Sequence, residues 1–213
     1  MSTTLSLHEY ISVNPPFNTF QEAPISPEEL EFFAEQEIIE IIPNFKLSTP
    51  GSMLYCIEGS FGPFQPNVPA EVPIYIALTL YRRNKCRILP PRWLSTSHLE
   101  VLVKEERQVS QHFQAIPFYY IEISKLLMTE ASSIFGLDFT EIQNLLEEFK
   151  KIRNGKIQDG LSKVNGAITV RLTNLSANEC NRIRVLFTSA LNVWNQIGKN
   201  DRKWQEERRQ GPM

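Results

Sequence analysis

The chain has 213 residues, 42% of them hydrophobic and 22% charged, with a formal net charge of −2. That length can bury a real core in one large domain or two small ones, and the near-neutral balance argues against a general nucleic-acid-binding role, which normally goes with a basic chain. Three widely spaced cysteines are no disulfide framework and point to a reducing compartment, while the absence of any 18-residue apolar run excludes a membrane-spanning helix. The average charge hides an asymmetry: residues 1–50 carry eight acids and one base, so they hold −7 and the remainder +5.

In chain order, residues 1–25 are polar and proline-containing without a sustained period, and are expected to form a mobile extension. Their start has neither a basic segment nor an apolar core, so no secretory signal is expected. Twelve of the fourteen prolines fall within residues 1–91. Proline removes a backbone donor and breaks helix interiors, so the front cannot be mostly helical while the rest can. ISPEELEFFAEQE reads as a short helix to about Glu37, with Ser26 and Glu29 as a capping box and Pro27 at the first helical position. The β-branched run IIEIIPNF ends at Pro43, and MLYCIEG follows. A turn-rich GPFQPNVPAEVP then leads into the helical run IYIALTLYRR. Short strands and proline turns over residues 38–70 make a small β unit that is too small to stand alone.

Beyond Pro91 the pattern is helical. STSHLEVLVKEERQ carries a second capping box, Ser97 with Glu100, and an apolar stripe of Leu99, Leu102 and Val103. A helix is expected over about 118–135, stopping near Gly136, and a longer one over about 139–164. Ser176 and Glu179 form a third box that opens a last helix to about Gly198. On that helix Ile183, Leu186, Phe187, Ala190, Leu191, Val193, Trp194 and Ile197 spread over about 160° of arc, against a stripe somewhat over about 100° for a typical surface helix. The excess favours packing both within the domain and against another chain; a central helix of a single bundle is the competing account.

Chemistry is hard to find. His8, His98 and His112 are scattered, and no C-x-x-C or H-E-x-x-H occurs, so no metal site or cofactor is expected. GSFGPF lacks the Lys-Ser/Thr and the helix start of a phosphate loop. Adjacent carboxylates such as Glu105/Glu106 and Glu147/Glu148 point about 100° apart on a helix and do not converge. Glu147 with Lys151 reads as a solvated i,i+4 pair. Two cation groups stand out: Arg82, Arg83, Lys85, Arg87 and Arg92, and then Lys150, Lys151, Arg153 and Lys156. Both read as solvated faces or contacts with an acidic neighbour. A phosphate-backbone contact remains the alternative, which would make the chain a helical nucleic-acid-binding module using the Arg82–Arg92 cluster. No catalytic residues emerge, so an enzyme is not expected.

Five segments read together carry a resemblance: FFAEQEIIEIIPNF, GPFQPNVPAEVPIYIALTL, KCRILPPRWL, PFYYIEISKLL and NLSANECNRIR. In that order, over roughly Pro27 to Ile197, the chain resembles the second-subunit family of the GINS complex, the four-subunit eukaryotic replication factor. The resemblance implies an α+β, predominantly α architecture: a small N-terminal β-rich domain (26–71, with its leading helix), then a larger helical bundle domain (72–198) and a frayed tail (199–213). It also implies a nuclear, non-catalytic scaffold with three sister subunits as partners, joined to the MCM hexamer and its DHH-family partner in the replicative helicase. DNA contact would be indirect or weak, with no membrane and no small-molecule substrate. The expected subunit interface is Phe149, Ile183, Phe187, Leu191 and Trp194. Cys86, Pro90, Pro91 and Trp93 are expected to form a rigid joint inside the helical domain.

Overall fold

In the computed structural model of the chain, which describes residues 25–109, 112–162 and 173–184, the first helix starts where its cap chemistry puts it. Helix α1 (Pro27–Ala34) is opened by Ser26, whose hydroxyl accepts from the Glu29 amide at 3.1 Å while the Glu29 carboxylate accepts from the Ser26 amide at 2.8 Å. Two donors that helix geometry orphans are thereby satisfied. Leu30 and Ala34, one turn apart, face inward.

Five short strands follow: β1 (Ile38–Pro43), β2 (Leu54–Cys56), β3 (Gly59–Phe61), β4 (Ala70–Pro73) and β5 (Cys86–Ile88). β2 and β3 form a separate hairpin, while the other three make an antiparallel sheet in the order β4-β1-β5. Ile39 lies opposite Val72, and Ile41 lies between Ala70 and Ile88. Strand alternation sends these five side chains into the core and turns Glu40, Glu71 and Arg87 outward. Helix α2 (Ile74–Arg82) runs from the end of β4 and delivers the chain to β5.

Two expectations need correcting here. The turn-rich segment before IYIALTLYRR contains β4, because its Ala-Glu-Val alternation has β1 to pair with. The expected domain boundary at 71–72 falls inside that strand, and β5 closes the sheet only at Ile88. The β-rich part therefore includes α2 and runs to residue 88.

The helices are α3 (Thr96–Gln108), α4 (Tyr120–Glu130), α5 (Phe139–Ser162) and a helical segment over residues 177–184, here α6. α3 begins one residue earlier than its expected Ser97 cap. Ser95 is the N-cap, and its hydroxyl donates to the Arg92 carbonyl at 2.9 Å instead of capping. α4 is shorter than expected at both ends, and a tighter helical segment over Ser132–Asp138, with Gly136 at φ +55°, joins it to α5.

One hydrophobic cluster runs from Ala34, Ile39 and Ile41 through Ala77 and Leu94 to Leu99, Leu127, Leu146 and Phe149. Sheet and bundle thus share a core, and Ser26–Ile183 is a single compact unit. Each fully buried aliphatic or aromatic side chain contributes about 1.5–3 kcal/mol. The exposed bridges across the seam, Lys125–Glu31 at 2.8 Å and Arg82–Glu130 at 2.9 Å, contribute at most about 1 kcal/mol each. Burial holds the small sheet in place.

Residues 1–24 of the expected extension, the tail, and most of the last helix with Phe187, Leu191 and Trp194 lie outside the described residues. Cys86 is buried in β5, its thiol directed at the Ala77 carbonyl and its pKa pushed up by burial to about 11. Cys56 is exposed. Native protein treated with an aromatic disulfide reagent should lose the Cys56 thiol quickly and retain Cys86 until denaturant is added; equal rates for the two would contradict this packing.

Candidate functional site

The densest polar constellation among the described residues sits between α3, α5 and the start of α6. Arg153, on α5, has no exposed surface. Its guanidinium grips Glu179 in bidentate fashion, with Nε to Oε1 and one terminal nitrogen to Oε2, both at 2.7 Å. It also donates to the Asn174 carbonyl at 2.6 Å and the Gln114 carbonyl at 3.3 Å, and lies 3.5 Å from Glu106. Phe113 and Phe149 place their rings 4.8 Å and 5.3 Å from the guanidinium carbon. Such stacking suits a planar, weakly hydrated cation.

Glu106, on α3, is equally buried. It accepts from Lys156 at 2.8 Å and from the Gln114 amide at 2.8 Å. Lys156 also donates to the Val109 and His112 carbonyls, fastening the loop after α3 to α5. Two cations and two carboxylates balance. Loss of water alone would lower the Arg153 pKa, but the Glu179 hydrogen bonds and charge outweigh it and raise the value, so the cation is secure.

Glu179 serves twice. Besides gripping Arg153, it accepts from the Ser176 amide at 2.8 Å, and its own amide donates to the Ser176 hydroxyl. This is the expected third capping box, so the charge that starts α6 is the charge that ties it to α5. The Asn174 side chain adds a 2.9 Å bond to the Phe113 carbonyl.

The second cation group is therefore divided: Arg153 and Lys156 point inward, while Lys151 is exposed and Glu147 pairs with Lys150 at 3.1 Å rather than with Lys151. Sequence reasoning missed the network, although a signal was present. Glu106 continues the α3 stripe of Leu99, Leu102 and Val103 at helical spacing, and Arg153 continues Ile142, Leu146 and Phe149. A charge on an apolar stripe marks a buried pair.

Of the expected interface residues, Phe149 is fully buried and edge-on to Tyr120 at 5.7 Å, and Ile183 is also buried. This chain by itself encloses both side chains. Around the expected joint, the Leu89 amide donates to the Glu40 carbonyl at 3.0 Å and ends the sheet ladder. Pro90 and Pro91, which have no amide donors, follow, and Leu94 then plugs the core with Trp93 half-buried beside it. The stretch thus lies between sheet and bundle, not inside the helical part. In the first cation group Arg82 pairs with Glu130, while Arg83, Lys85, Arg87 and Arg92 are exposed.

Within GSFGPF the two phenylalanines turn toward the core while Gly59, Ser60 and Pro63 stay exposed. Phe64 is buried with its ring stacked on Phe45 at 5.7 Å. Gly62 sits at φ +135°, where an added Cβ would come within 3.0 Å of the Ser52 carbonyl oxygen.

Among the described residues, one buried carboxyl remains outside the network. Glu122, on α4, is 5% exposed, and neither oxygen has a hydrogen-bond partner among the described residues. Desolvation raises its pKa above the ordinary carboxylate value, with the Asn178 side chain and the Lys150 charge opposing.

A small β-rich unit, a proline joint and a charge-clamped bundle define a two-part α+β chain whose main polar centre is used to hold its own helices. Residues 26–89 match the PSF2 N-terminal domain, and residues 93–198 match the GINS complex protein helical bundle domain. The two matches flank the joint. The chain is 38% identical over 169 residues to the DNA replication complex GINS protein PSF2 of Xenopus laevis and equally to that of Homo sapiens, covering 77% of this chain and 87% of each relative. The Schizosaccharomyces pombe protein psf2 is 30% identical, over 83% of this chain and 92% of its own length. The chain belongs to the PSF2 family of GINS proteins.

Replacing Arg153 with Met should lower stability by about 3–5 kcal/mol, because Glu179 is left buried and unpaired. Arg82→Met, on an exposed pair, should cost less than about 1 kcal/mol. Denaturant titrations of the full chain compare the two. For Glu122 the raised pKa means that its protonated form is favoured in the fold. Its stabilising contribution is complete below the ordinary carboxylate value and is lost as pH rises through the raised one. Glu122→Gln should therefore melt at a higher temperature than the wild type at pH 8, with the difference shrinking towards pH 4.

Proposed function

We propose that this chain is the second subunit of a GINS complex and acts in DNA replication as a non-catalytic structural member. The observation that carries the reading is the match of both halves, in order, to the PSF2 N-terminal domain and the GINS helical bundle domain. The charge-balanced centre supports it, since its acids and bases neutralise one another inside the fold and leave a preformed bundle to be presented to neighbours.

In this role the chain assembles with three sister GINS subunits in the nucleus and, through them, with the MCM ring and its DHH-family partner in the replicative helicase. Phe187, Leu191 and Trp194 line the sister contact, while Phe149 and Ile183 serve as core. The chain's relation to DNA is indirect, by way of that assembly.

Co-expression with the three sister subunits should give a single particle of equal stoichiometry by size exclusion and native mass spectrometry. A well-behaved monomer that fails to retain its sisters would sink the reading. Leu191→Glu or Trp194→Glu should abolish co-purification; if either chain assembles normally, those positions are not at the contact.

A further inference from the structure

Helix α1 and the outer face of the sheet carry two features that the core does not explain. Phe32 and Phe33 are 59% and 46% exposed, with rings 5.9 Å apart, and Ile38, one tight turn later, is 55% exposed. Three large exposed apolar side chains within seven residues, two of them in ring contact, mark a candidate contact site. Glu28, Glu35 and Glu37 flank them in sequence, and Glu40 and Glu71 share the outer face of the sheet with Ile38; none of the five forms a salt bridge among the described residues. The nearby Lys125 is taken by Glu31.

The sheet register adds an independent sign. Glu40 and Glu71 are directly opposite on the exposed face of β1 and β4. Like charges in that position repel and destabilise the pair. A single cation placed over them would convert the repulsion into two attractions, and a guanidinium beside Phe32 and Phe33 would add stacking.

We propose that this face docks a sister GINS subunit through a segment in which Arg or Lys alternates with apolar side chains, the cations over Glu40 and Glu71 and the apolar groups against Phe32, Phe33 and Ile38. The inference rests on the GINS-subunit reading and gives it a second contact, remote in sequence from Phe187, Leu191 and Trp194. The partner is a protein rather than a free cation, because a cation alone would leave the aromatic pair uncovered.

The sign of one substitution separates docking from a purely internal role. Glu40→Lys places opposite charges across β1 and β4, so the chain itself should be as stable as the wild type or more so. A cationic partner, however, would be repelled. In the co-expressed four-subunit complex, Glu40→Lys should raise the concentration at which the particle dissociates at least tenfold in mass photometry. Phe32→Ser/Phe33→Ser should do the same. A photoreactive benzoylphenylalanine at position 32 should cross-link to a sister peptide containing Lys or Arg. The proposal is overturned if Glu40→Lys assembles as tightly as the wild type, or if the cross-link falls within residues 1–24 of this chain. A wild-type chain that never assembles with the sisters would instead overturn the GINS-subunit reading together with this one.

Discussion

Three helical segments of this chain, α3, α5 and α6, are arranged around a cation that water cannot reach. Arg153 is buried against two aromatic rings and two carboxylates contributed by different helices. Such a cluster is weak evidence for net stability, since well-packed apolar residues can often replace it entirely without loss. Its effect is on alternatives. Any shift of α3, α5 or α6 out of register strands at least one buried charge, which costs several kcal/mol. The network therefore selects one arrangement among many similarly greasy ones. Because Glu179 also caps α6, the start of that helix and its attachment to α5 are a single event.

The sheet depends on the bundle in a simpler way. Three strands of three to six residues bury one face, and a hairpin-sized unit of that kind is marginal by itself. Its inner face, Ile39, Ile41, Val72 and Ile88, joins the same hydrophobic cluster as Leu94, Leu99 and Leu127. The two consecutive prolines after β5 hold the crossing point extended, so the chain leaves the sheet in one direction and Leu94 is delivered into the core. Domain-level similarity divides the chain at that crossing, whereas packing joins the two sides.

Much of this was legible in the residues. Caps at Ser26/Glu29 and Ser176/Glu179, the β-branched run ended by Pro43, and the period of α5 follow from local rules, and local rules are what sequence carries best. β4 was harder, because Ala70–Pro73 is only four residues long and surrounded by turn formers; it becomes a strand through pairing with β1, a non-local fact. The same limit hid the pairing of β5 with β1, which carries the sheet past residue 71. The charge clamp was overlooked for a different reason. Arg and Glu on a helix are nearly always solvated, and only their position on an apolar stripe separates Glu106 and Arg153 from the ordinary case. Phe149 was read as partner-facing because hydrophobic periodicity identifies a buried face without saying which chain buries it.

Family membership and structure meet in one picture: a subunit whose own charges are satisfied internally and whose neighbours are expected on its surface. The claim on which that picture rests is that one network holds three helical segments as a unit. Hydrogen exchange read by mass spectrometry, comparing wild type with Arg153→Met in the full chain, tests it most directly. The account predicts that protection falls together over residues 96–108, 139–162 and 173–183. A loss confined to α5, with the other two segments as protected as before, would contradict it.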